Sequence, residues 1–287
     1  RSSDLCNGAD MIKNFQRIKS VIGFVPQQDI IYENLTLERM LEYSSRLRMP
    51  KDTDTVERKK RIKEVLKMVD LEGQKNTLIR KLSGGQKKRA SIAVELLADP
   101  KLFFLDEPTS GLDPGTEKNL MISLKTLARQ HGKTIIMVTH TTANLHLCDK
   151  ILFMGPGGKL CFCGNVKEAK KFYQTEDLVD IYNMVSQNTE FWEKRYSAYA
   201  KNSPPVKENK DSYEKDKKLK KESAFSQFFV LIERYAELLL HDKPRLMILF
   251  LQPGLIAVLL YIVADDKIFQ IYESTKSILF ALSCSAI

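Results

Sequence analysis

The sequence predicts an α/β protein with a parallel sheet, followed by a helix long and apolar enough to enter a membrane. Three observations predict this. Short apolar runs at 21–25, 102–105 and 134–138 alternate with segments of helical period, and the order strand, helix, strand implies parallel pairing. The polar residues fall where such a sheet binds ligands, just past the carboxyl ends of its strands: Gln27 follows the first run, Asp106 and Glu107 the second, and His140 the third. Finally, 246–264 carries no charged residue, and at about 1.5 Å per residue it nearly matches the roughly 30 Å of a bilayer core.

Composition narrows the class. An apolar fraction of 43% excludes a wholly disordered chain. The net charge of +9 is spread along helices and through a polar stretch, which fits a cytosolic surface beside an anionic membrane; nucleic acid is not expected as a partner. The cysteines, Cys6, Cys148, Cys161, Cys163 and Cys284, are scattered and odd in number, as reduced thiols are. Cys161 and Cys163 share one face of an expected strand, but no second pair completes a zinc set, so packing is their expected role. The first residues lack the apolar core of a signal peptide. The sequence does not begin with Met, and a fragment is expected.

In chain order, 1–20 is polar with few apolar residues. Two helices are expected over 36–69, divided by Pro50 and the polar run to Thr55, with Leu37, Met40 and Leu41 on one stripe and Ile62, Val65, Leu66 and Val69 on the other. The basic run 58–63 reads as a solvated face. Then comes 82–113, LSGGQKKRASIAVELLADPKLFFLDEPTSGLD. Ser83 can cap a helix, and Gly84 and Gly85 let backbone N–H groups approach an anion at its positive end. Ala90, Ala93, Val94 and Leu97 share one face, with Lys87, Ser91 and Glu95 on another, which predicts a one-sided helix. Asp106 and Glu107 close a buried strand, where charge is costly unless it serves a metal or a reaction.

Asp113 and Pro114 open the next helix as N-cap and first-turn proline. Its inner face carries Leu120, Leu124, Leu127 and Ala128, and Gly132 ends it. Two strands turning at 155–158 are expected over 151–162, and a short helix over 166–173. A polar linker is expected over 176–222, richest in Pro, Lys and Glu at 203–222. An amphipathic, interfacial helix is expected over 223–242, with Phe225, Phe228, Phe229, Ile232, Ala236 and Leu239 opposite Glu233 and Glu237. The run 246–264 is interrupted by Gln252, Pro253 and Gly254, which keeps a buried soluble helix open as the alternative to a span. Lys243 and Arg245 before it, and Asp265 and Asp266 after it, put its N-terminal side in the cytosol. A second membrane helix is expected to start in 277–287.

The stretch 82–113 resembles the ATP-binding cassette (ABC) ATPases: LSGGQ as signature, LFFLDE as Walker B strand, and SGLD as D-loop. VPQ, ending at Gln27, takes the place of the Q-loop, and His140 that of the H-switch. The resemblance covers roughly residues 10–175. It implies a P-loop NTPase-type nucleotide-binding domain over 1–175, with a helical subdomain at about 35–98, and ATP and Mg²⁺ as ligands. Carried over residue by residue, it makes Asp106 and Gln27 the Mg²⁺ residues, Glu107 the general base and His140 the γ-phosphate contact. It further implies that Ser83, Gly84, Gly85 and Gln86 close on the ATP of a second protomer, and that Asp113 links the two sites.

Gly132, Lys133 and Thr134 spell the tail of a phosphate-binding loop, but Leu127 stands where its first Gly belongs, and a helix precedes it and a strand follows, the reverse of that motif. The loop itself (Walker A) is expected before Arg1, so this fragment is expected to be inactive alone. An ATPase followed by membrane helices resembles the G subfamily of half transporters and bacterial ATP-binding/permease fusions. That implies a dimer in a lipid bilayer, driving export of lipid-like or amphipathic cargo. Two other readings stay open: a soluble ABC ATPase acting on nucleic acid or ribosomes, opposed by the apolar run, and a non-hydrolysing scaffold, opposed by intact Glu107 and His140.

Overall fold

Strand order decides where the polar residues gather. In the computed structural model, which describes residues 5–6, 9–10, 22–50, 52–201 and 224–263, β1 (Leu5–Cys6) and β2 (Ala9–Asp10) pair antiparallel. β3 (Ile22–Val25), β4 (Leu102–Asp106) and β5 (Thr134–Val138) form a parallel sheet in the order β3-β4-β5. Val25 stands opposite Leu105, and Asp106 opposite Val138. All three strands therefore end at one edge, which puts Gln27, Glu107 and His140 side by side in the fold although they are far apart in the chain.

The helices between the strands start where capping side chains stand. α1 (Leu37–Arg48) is capped by Thr36, and α2 (Thr55–Met68) by Asp54. α3 (Gly84–Leu96) starts at Ser83 in a capping box with Gln86, and α4 (Pro114–Gln130) at Asp113 with proline in its first turn. Leu37, Met40, Leu41, Ile62, Val65, Leu66 and Val69 are buried as the stripes predict.

One expectation fails here. α3 is not one-sided: Ser91 and Lys88 are buried together with Ala90, Ile92, Ala93 and Leu96. The reason is that α1, α2, α4 and β3 all pack on it, so its polar residues survive only by finding partners. Glu95, expected on a free face, receives both Nη atoms of Arg48 at 2.7 and 2.6 Å. Past the helix, Asp99 takes Arg61 at 2.6 Å and the buried Lys133 at 2.9 Å. Burial alone would raise the Asp99 carboxyl, but Lys133 and Arg61 outweigh it and hold the group below its ordinary value. Lys133 of the GKT sequence is thus a structural ion-pair residue.

β6 (Ile151–Gly155) and β7 (Lys159–Gly164) form an antiparallel hairpin, followed by α5 (Val166–Tyr173). The expected linker over 176–222 is corrected over its first half. Residues there form α6 (Leu178–Gln187) and α7 (Thr189–Lys201). Ile181, Val185 and Trp192 from these helices join Ile151, Cys161, Phe162, Phe172 and Tyr173 in one core. The apolar positions that do this are spaced three and four apart among polar neighbours, so average composition conceals them. The Tyr173 hydroxyl donates to the Cys161 carbonyl at 3.1 Å, and burial pushes its pKa well above the ordinary tyrosine value. Cys161 itself is fully buried, a packing residue. The stretch 203–222 lies outside the described residues.

A second compact unit combines Tyr32–Leu35 with the chain from Ser223. In it, α8 (Ala224–His241) exposes Phe225, Phe228, Phe229, Ile232 and Tyr235 while Val230 is buried. The Arg234 guanidinium lies 4.2 Å from the centre of the Tyr32 ring, a cation–π distance. Asp242 receives the Arg245 N–H at 3.3 Å and so starts α9 (Lys243–Val263), which runs through Pro253. Within 243–262 the most apolar 18-residue window has a mean hydropathy of 2.0, and none of that window is buried. Asp265, Asp266 and 277–287 lie outside the described residues.

Candidate functional site

Glu107 is the centre of the site. β4 ends one residue earlier, and Glu107 takes φ +43°, in the left-handed region that a non-glycine residue adopts at a cost. Its N–H donates to the Val138 carbonyl at 2.9 Å, and its carbonyl accepts from the Ser110 N–H at 3.1 Å. The backbone is therefore held on both sides.

The carboxylate faces two side chains. Oε2 accepts from Gln27 Nε2 at 3.0 Å, and Oε1 lies 3.2 Å from His140 Nδ1. The Glu107 side chain is 27% exposed and that of His140 63%. A carboxylate that is partly sheltered, open to water and held by an amide donor on one oxygen with an imidazole beside the other is equipped to act as a base. Asp106, half-buried, precedes it. Two consecutive carboxylates and a nearby amide suit Mg²⁺, which takes one or two carboxylates and completes its shell with phosphate oxygens and water.

The turn 83–86 is built differently. The Ser83 hydroxyl accepts from the Gln86 N–H at 3.3 Å, while the Gln86 side chain accepts from the Ser83 N–H at 2.9 Å. Both side chains are used to start the helix. A Cβ at Gly84 would stand 3.2 Å from Leu112 Cδ2, and one at Gly85 would collide with the Thr116 side chain. The turn is thus packed on the 111–116 segment. There, Asp113 accepts from Gly115 and Thr116 N–H groups at 3.1 and 3.0 Å. Hydrogen bonding by Thr116, through its side chain and then its backbone, holds the Asp113 carboxyl below its ordinary value. Among the described residues, no hydrogen bond or ion pair joins the turn 83–86 to Gln27, Glu107 or His140. The sequence-predicted residues therefore fall into two groups, Gln27 with Asp106, Glu107 and His140, and Ser83 to Gln86 with Asp113.

This packing carries a prediction. Gly85→Ala should force α3 and α4 apart and cost about 1–3 kcal/mol, the usual range for overpacking. Thermal or urea unfolding of the variant measures it, and an unchanged midpoint would mean that Thr116 simply turns away.

Two further residues were not legible in the sequence. Glu117, in the first turn of α4, is buried and accepts from Asn144 Nδ2 at 2.9 Å and Thr141 Oγ1 at 3.3 Å. It grips the chain just after His140. Lys88 is 4% exposed, and its Nζ lies 2.9 Å from both the Gln27 carbonyl and Asp29 Oδ1. In sequence, Glu117 reads as an acidic residue suited to a helix start, and Lys88 as one basic residue among several. The helical period does place Glu117 in line with Leu120 and Leu124, yet its charge argued against burial, and no period marked Lys88 as facing inward.

Comparison with known proteins agrees with this geometry. Residues 2–110 match the family described as ABC transporter. The chain is 34% identical over 259 residues to the ABC transporter ATP-binding/permease protein Rv1747 of Mycobacterium tuberculosis, covering 90% of this chain and 30% of that protein. It is 34% identical over 182 residues to ABC transporter G family member 28 of Arabidopsis thaliana, covering 61% of this chain and 16% of the relative. The chain thus spans less than a third of the length of either. Among solved structures, cbiO1 from Clostridium perfringens, part of the ABC transporter complex cbiONQ, superposes with a TM-score of 0.52 at 26% identity, over 68% of this chain and 75% of that one. Fold, motif order and relatives agree: the chain carries the ATP-binding domain of the ABC transporter family, a P-loop NTPase-type α/β fold.

Proposed function

We propose that this chain is the ATP-hydrolysing part of a membrane transporter that uses ATP to move a lipid-like or amphipathic substrate, in the direction of export. The observation that carries the hydrolytic reading is the Glu107 carboxylate between Gln27 and His140. Glu107 takes a proton from the attacking water, and the groups now beside its oxygens turn to other partners: the His140 ring to the γ-phosphate and the Gln27 amide N–H to the water, its carbonyl oxygen being left for the metal. Asp106 and Gln27 would hold Mg²⁺, which would supply positive charge to the phosphate oxygens.

Ser83, Gly84, Gly85 and Gln86 face the nucleotide of a second protomer, and Asp113 connects that surface to this protomer's own site. Two features support this: beside the capping box the helix start presents the Gly84 and Gly85 N–H groups towards an anion, and among the described residues the turn makes no hydrogen bond or ion pair to the Glu107 group. α9 crosses the bilayer with its N-terminal side in the cytosol, and α8, with its exposed aromatic residues, lies in the interface. The family relationship to G family members and to an ATP-binding/permease protein supports the transport role.

The test is ATP hydrolysis by the full-length protein in liposomes, against a panel of lipids, sterols and amphipathic compounds. Stimulation by one class is expected. A rate that responds only to nucleic acid or ribosomes would assign the chain to a soluble ATPase instead.

A further inference from the structure

We propose that Lys88 is a positioning residue for Gln27: it pins the segment after β3 to the signature helix and so decides whether the Gln27 side chain stands against Glu107. The inference rests on the hydrolytic reading of that site and adds a residue to it.

A lysine ammonium is among the groups least often buried without a paired charge, because its loss of hydration is large. Lys88 is 4% exposed, and it meets two oxygens of one short stretch, the Gln27 carbonyl and Asp29 Oδ1, each at 2.9 Å. Among the described residues, Asp29 Oδ1 has no hydrogen-bond partner, so the Lys88 ammonium meets it as an ion pair and is the charge that offsets its burial. The dependence is therefore mutual: without Lys88 a sheltered carboxylate oxygen loses its paired charge and the Gln27 carbonyl loses its donor. Residues 27–30 have no regular secondary structure, so no backbone ladder holds Gln27 in place of these bonds. Its amide nevertheless reaches Glu107 Oε2 at 3.0 Å. A residue that has left its strand can hold such a position only if its main chain is tied elsewhere, and Lys88 is the tie.

The consequence concerns communication between sites. Lys88 lies just over one helical turn from Ser83, on the helix whose start is proposed to meet a second protomer's nucleotide. Its other end holds the residue that meets this protomer's own metal and water. A shift of α3 on closure is thereby transmitted to Gln27 through one ammonium group.

The experiment compares Lys88→Met, which keeps the length and removes the charge, with Lys88→Arg, in the full-length protein, each with and without Gln27→Ala. Lys88→Met should lower kcat by about 10- to 100-fold, the range seen when a supporting partner of a metal or catalytic group is removed. It should also raise the Mg²⁺ concentration needed for half-maximal rate while leaving the KM for ATP little changed. Lys88→Arg should restore most of the rate. In the Gln27→Ala background, where the carbonyl remains but the side chain is gone, Lys88→Met should cost less than about twofold more, because residues acting through one another are not additive. Full additivity, or a fall in kcat with an unchanged Mg²⁺ requirement, would overturn the proposal. Amide hydrogen exchange at 27–30 needs no turnover: faster exchange there in Lys88→Met, with the rest of the sheet protected, supports the tie, and unchanged exchange overturns it. An inactive parent protein with that local loss of protection would count against the hydrolytic reading, not against Lys88.

Discussion

Glu107→Gln in the full-length protein should abolish ATP turnover while leaving nucleotide binding in place. Glutamine keeps the size of the side chain, its one carbonyl can still accept from the Gln27 amide, and its NH2 can donate to an unprotonated His140 ring nitrogen, so the loops should stay where they are. What it loses is the ability to accept a proton. A positioned base contributes roughly 10²- to 10⁴-fold to rate, and hydrolysis should fall by at least that much. Nucleotide affinity, measured by equilibrium binding of a fluorescent ATP analogue, should change little. Turnover near the parent rate would remove Glu107 from the base role and move attention to Asp106 or to the phosphate itself.

Phe162→Ala should have the largest effect on stability. Its ring is fully buried and packs within 6.0 Å, centre to centre, of Phe172, Tyr173 and Tyr196. Removing a buried aromatic ring costs about 3–5 kcal/mol, and for a unit of this size that corresponds to a midpoint lowered by roughly 10 °C. The loss should concentrate in β6, β7 and α5 to α7, and limited proteolysis should locate it there. Cleavage confined to 203–222 in both proteins would show that the aromatic core is not what holds α6 and α7.

That core also shows what the sequence leaves unsaid. The parallel sheet, the caps at Ser83 and Asp113 and the strand ends bearing Gln27, Glu107 and His140 were legible, because strand and helix periods differ and because capping residues announce themselves locally. α6 and α7 were not. Their buried positions are few, and Trp192 and Tyr196 look like surface residues until the hairpin they cover is known. The same holds for α3. Its apolar period suggested one buried face, while the number of neighbours surrounding a helix is a tertiary property that period does not encode. For Lys88 and Glu117 the reason is sharper. A buried charge is recognised by its partner, and the partners stand 61 and 27 residues away.

With Glu107 as the proposed base, its left-handed backbone would place stability and activity in opposition at one residue. A glycine there would adopt φ +43° without the steric cost that Glu107 bears, so relaxing the fold and keeping the chemistry demand different amino acids. Selection for a hardier protein alone would move this position away from glutamate. That the chain carries glutamate there records which demand has prevailed.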